Sequence, residues 1–158
     1  MNQLIYVETS IPSFYFDTRP GAENEARRNW TREWWDVARW QDQLVTSLAV
    51  IRELESTPEP KRAQCLGLLG ELPLLATGPK VDDLVRHYIT QKVMPDDANG
   101  DARHLALATF HKCDILVSWN CRHIANANKA RHIEHVNRAL GFDTPKLITP
   151  LELIGEEP

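Results

Sequence analysis

Apolar positions fall into two kinds of block along this chain. Short apolar runs without alternation occur at Leu4-Ile5-Tyr6-Val7, at Leu44-Val45 leading to Thr46-Ser47, at Ile115-Leu116-Val117 and at Leu147-Ile148. Such runs predict strands buried on both faces, as in a parallel sheet under helices. Pro73-Leu74-Leu75-Ala76 is a further candidate strand. Between these runs lie longer segments with apolar residues at helical spacing. They predict a short turn over 11–16 and helices over 22–41, 48–56, 58–72, 80–93, 102–112 and 126–140. Pro20-Gly21 and the segment Met94 to Gly100 read as loops. Gly141 suits a left-handed helix cap. Strands alternating with helices of this length imply βαβ units, an α/β fold and a mainly parallel sheet.

On the helix over 22–41, Trp30, Trp34, Val37 and Ala38 share helical spacing, with Trp35 and Trp40 on neighbouring faces. Core packing is the favoured reading of these tryptophans. A partner or dimer surface using one or two of them is the alternative.

The chain has 158 residues, 42% hydrophobic and 25% charged, with a net charge of −4. These values predict a single globular domain over 1–158. The acidic balance argues against a constitutive nucleic-acid coat protein but leaves room for an enzyme with acids gathered at a metal site. Three cysteines, Cys65, Cys113 and Cys121, have no paired spacing, which favours a reducing cytoplasm over a disulfide framework. No signal peptide or membrane span is expected.

The first strand runs straight into Glu8, Thr9 and Ser10, so Glu8 is expected at the carboxyl end of the sheet, where open α/β sheets place ligand sites. The third central run ends in Ser118-Trp119-Asn120 at the same edge. Asp114, at its other end, is expected about 20 Å away from Asn120 and out of reach. Asp101 opens a helix on whose wheel it shares a small apolar face with Ala102, Leu105 and Ala108, while Arg103, His104 and His111 are expected to point elsewhere. Asp101 is therefore either a helix-start residue or a site residue. Glu53 and Glu55 lie roughly 200° apart on their helix, so at most one faces the site, and periodicity does not choose between them. If Glu8, one of this pair and Asp101 converge, three carboxylates repel each other unless protonated or loaded with a cation. Oxygen-only ligands select Mg²⁺ or Mn²⁺.

Other signals are weaker. His132 and His135 lack a third ligand and read as solvated. The run from Asp97 to Asp101 lacks the late glutamate of a calcium loop. Arg122 and Lys129, just beyond Asn120, read as a solvated face or as a rim that would hold RNA phosphates.

Tyr6-Val7-Glu8-Thr9-Ser10, Arg52-Glu53-Leu54, Asp101 with His104-Leu105-Ala106, Leu116-Val117-Ser118-Trp119-Asn120 and Ile148-Thr149-Pro150 together resemble the PIN-domain ribonucleases, many of them VapC-like toxins of bacterial toxin–antitoxin pairs. The order and spacing of these motifs carry the resemblance, which covers nearly the whole chain. It implies a three-layer fold and a metal-dependent endoribonuclease. It favours Glu53 over Glu55 and implies Glu8, Glu53, Asp101 and Asn120 as catalytic positions. Glu8 and Asp101 would hold Mg²⁺ or Mn²⁺, with Thr9, Ser10 and Ser118 in support. Partners implied are an RNA substrate, a cognate antitoxin and a second copy in a homodimer. Two departures stand out: Glu8 replaces the usual aspartate, and the neutral Asn120 stands where many members carry an acid. They motivate an alternative, a catalytically weakened module that binds nucleic acid or protein. A different phosphohydrolase on a similar sheet is a third reading.

Overall fold

A computed structural model describes residues 2–155. The elements run β1 (Leu4–Val7), α1 (Ser10–Tyr15), α2 (Ala22–Gln41), β2 (Gln43–Val45), α3 (Leu48–Glu55), α4 (Lys61–Leu69), α5 (Pro79–Thr90), α6 (Asp101–Phe110), β3 (Ile115–Val117), α7 (Ala127–Ala139), β4 (Lys146–Ile148) and α8 (Pro150–Ile154). The four strands form one sheet in the order β2-β1-β3-β4, parallel at every pairing. Ile5 pairs with Leu44 on one side and Ile115 on the other, and Val7 with Val117. The central strands are buried on both faces, which explains their unbroken apolar runs.

The connection from β1 to β2 steps one way along the sheet, and those from β2 to β3 and β3 to β4 step the other way. Right-handed crossovers then place helices on both faces. On one face α1 and α8 pack against α2. On the other, α5 packs on α6, and Tyr88 of α5 donates to Asn137 Oδ1 of α7 at 2.5 Å. The result is an α/β fold with a central parallel sheet flanked by helices, in three layers. Among the described residues, no helix is long and apolar enough to cross a membrane.

The segment over 73–76 differs from its predicted strand. It makes a single bridge, Thr46 to Leu74. Pro73 has no N–H to donate, and Leu74 is half exposed, so the ladder does not extend. The tryptophans divide. Trp34 and Trp35 enter the core, while Trp40 is 78% exposed. Val37, expected beside Trp34, is exposed as well, because the buried stripe of α2 runs through Thr31, Trp34, Trp35 and Ala38. Trp30 stacks on Trp119 at 6.2 Å, and Trp119 donates its indole N–H to Thr31 Oγ1 at 2.7 Å. All three cysteines are free.

Three helices end on a left-handed residue. Gly141 follows α7 with φ 85°, and Phe142 N–H closes back on Asn137 O. Lys92 and Lys112 do the same work after α5 and α6, each at φ 57°.

Candidate functional site

The strand order reverses between β1 and β3, so the loops leaving their carboxyl ends diverge and open a crevice there. Glu8 stands at this point, one residue past β1. Its Oε1 accepts from Ser10 N–H at 3.0 Å, from Ser118 Oγ at 2.7 Å and, more closely still, from Ser10 Oγ. Ser10 opens α1 and Ser118 follows β3, so the carboxylate is clamped between two elements distant in sequence. Ser10 Oγ also accepts from Trp119 N–H at 2.8 Å. Glu8 is only 6% exposed, yet among the described residues nothing donates to its Oε2.

Glu53 lies on α3, whose start is capped by Ser47 through Val50 N–H. Its Oε1 accepts from Thr9 Oγ1 at 3.1 Å and pairs closely with Nε2 of His104. Glu55 faces away and is exposed. Thr9 therefore supports Glu53, while Ser10 and Ser118 support Glu8.

His104 corrects the expectation that it points away from Asp101. Three residues along a helix leaves two side chains only about 60° apart, and His104 is wholly buried. Nearly every residue of α6 from Ala102 to Thr109 is buried, so this helix has almost no solvent face. His104 Nδ1 lies 2.7 Å from Tyr6 Oη, which in turn lies 2.6 Å from Ser47 Oγ. Burial pushes the imidazole pKa down, but the Glu53 hydrogen bond and the charges of Glu8, Glu53 and Asp101 more than offset it and raise it above 6.5. Burial raises the Tyr6 phenol well above 10.0, so Tyr6 stays neutral.

Asp101 is the first residue of α6. It interacts with His104 through its charge, and no described residue donates to its carboxylate. The charges of Glu8, Glu53 and Asp101 all act on one imidazole, and of the three only Glu53 is in contact with it. Asn120 plays a different part. Its Oδ1 accepts from Arg122 N–H at 3.2 Å and His123 N–H at 3.0 Å, so the carbonyl expected at the site closes a local turn. Arg122 is exposed, and Lys129 Nζ lies 3.5 Å from His123 Nδ1. Asp114 is at the amino end of β3, where it accepts from Leu4 N–H at 2.8 Å, far from the crevice as expected.

A cleft of about 660 Å³ adjoins Glu53, with Leu48, Leu74 and Leu75 among its apolar lining and Arg52 and Arg103 among its charged lining. Arg103 is fixed by Asp82 Oδ1 at 2.9 Å, Thr77 Oγ1 at 2.7 Å and Ala98 O at 2.9 Å. Neither Tyr6 nor Arg103 stands out as a site residue in the sequence. Tyr6 lies inside an apolar run, and the fixing partners of Arg103 come from two distant segments.

Among the described residues, no three of His, Cys, Asp and Glu gather into a ready-made cage for an ion. The donor set still fits a hard cation. Mg²⁺ is commonly held by one or two carboxylates with water completing its shell, and Glu8 Oε2, Glu53 Oε2 and the Asp101 carboxylate have no donor among the described residues. No model of a known protein family matches the chain, and no curated protein matches it.

Proposed function

We propose that this chain is a metal-dependent endoribonuclease of the PIN type, the toxin of a toxin–antitoxin pair acting in the cytoplasm. The observation that carries the reading is the buried Glu8 carboxylate, clamped by Ser10 and Ser118 at the switch point of a parallel sheet, with Glu53 joined to the same loop through Thr9. Glu8 and Asp101 would hold Mg²⁺ or Mn²⁺. When bound, such an ion supplies a polarised phosphodiester oxygen and a more acidic water. Glu53 orients that water. Its Oε1 is paired with His104 and accepts from Thr9, which holds the carboxylate in place to orient or deprotonate the attacking water. The cleft beside Glu53 offers a seat for the RNA strand, with Arg52 to face phosphates. Arg122 and Lys129 would hold the strand beyond Asn120. A cognate antitoxin and a homodimer belong to the same reading.

The test is cleavage of RNA with and without Mg²⁺ or Mn²⁺, by the native protein and by Asp101→Asn. Cleavage should require the ion and fall by about 100-fold or more in the variant. Undiminished cleavage by Asp101→Asn would refute the assignment. The second reading, a binding module without catalysis, is favoured by the use of Asn120 Oδ1 within its own turn. It predicts RNA or protein binding with no cleavage under any divalent ion.

A further inference from the structure

Buried histidines are usually neutral and bonded to backbone. His104 is neither bonded to backbone nor placed among neutral groups. Both ring nitrogens meet side chains, Nε2 the Glu53 carboxylate and Nδ1 the Tyr6 hydroxyl. The chain of contacts continues from Tyr6 Oη to Ser47 Oγ, the cap of α3. Glu53 is on that same helix, so the path Ser47–Tyr6–His104–Glu53 leaves α3 at its first turn and returns to it near its last. It crosses β1 and α6 on the way, binding three elements by side chains alone. Glu53 itself is partly exposed, with a long side chain that packing alone would not hold.

We propose that His104 is a positioning residue, clamped between Tyr6 and Glu53, that fixes the Glu53 carboxylate toward the crevice and pairs with it as its countercharge. The proposal rests on the ribonuclease reading only for its kinetic consequence. It also gives Tyr6 a role. With Nδ1–H donating to Tyr6 and Tyr6 donating to Ser47, each hydroxyl has a defined partner and the imidazole cannot turn.

Two measurements test this. The first needs no activity: the ring ¹⁵N and ¹H resonances of His104 in the metal-free protein near neutral pH. Both nitrogens should carry protons. Glu53→Gln should move the Nε2 signals, and Tyr6→Phe the Nδ1 signals. A neutral ring with one bare nitrogen, or signals unmoved by both variants, would overturn the proposal. The second is RNA cleavage by His104→Gln and His104→Ala. Glutamine keeps a neutral donor toward Glu53 and loses the charge, whereas alanine loses both. The expected result is a kcat lower by roughly 10- to 100-fold at little-changed KM in alanine, partly restored in glutamine. Equal loss in both, accompanied by equal loss of melting temperature, would make His104 a packing residue and overturn the role. A native protein that cuts no RNA would refute the ribonuclease reading, and the ring spectrum alone would then decide on His104.

Discussion

At the scale of single residues, charge is placed in pairs that local geometry fixes. Asp17 is buried and receives Arg19 through its backbone N–H at 2.9 Å and through the guanidinium at 2.8 Å. The Arg19 side-chain hydrogen bonds, helped by its backbone N–H and its charge, outweigh burial and hold the Asp17 carboxyl below 3.8. A depressed carboxyl stabilises the fold above its unfolded value, and that stability is lost as pH falls through the folded value. Asp17→Asn should therefore melt lower than the native protein near neutral pH, and the gap should close as the pH drops below about 4; thermal melts across that range would show it. Arg19 is largely solvated, so the gap should be modest. The places of Glu8 after β1 and of Asp101 at the start of α6 were legible because each sits at the boundary of a recognisable element. His104 was not, because a polar residue on a helix was assigned to a polar face. The signal was present in α6, where Leu105, Ala106, Leu107 and Ala108 leave no polar face for it. Asn120 has a use not legible in the sequence: its Oδ1 closes its own turn, a local role that a motif position hides.

At the scale of elements, boundaries follow hydrogen-bond chemistry. The buried strands β1 and β3 were legible as unbroken apolar runs, since both faces are covered. The segment after Pro73 carried the same apolar signal but lacked the donor to extend a ladder. Helix ends were legible at Gly141 and not at Lys92 or Lys112, where a side chain occupies the left-handed region that favours glycine. Lys112→Gly should therefore stabilise the protein by about 0.5 kcal/mol or more, because a left-handed L-residue costs about 1–2 kcal/mol and glycine gives part of that back in unfolded-state entropy. A denaturant midpoint shifted upward with an unchanged m-value would establish it.

At the scale of the whole molecule, one continuous core joins the sheet to both helical layers. Leu116 lies wholly buried in β3, paired with Tyr6 on one side and Leu147 on the other. Leu116→Ala should cost about 2–5 kcal/mol. The loss should show as one cooperative unfolding transition at lower denaturant rather than as a separate early phase. The crevice inherits the same long reach: Ser118 meets Glu8 across 110 positions of chain. During synthesis Glu8 therefore precedes its clamp, which forms only after β3 and Ser118 have emerged. Until then β1 lacks one of its two neighbours, and Glu8 lacks the hydroxyl of Ser118.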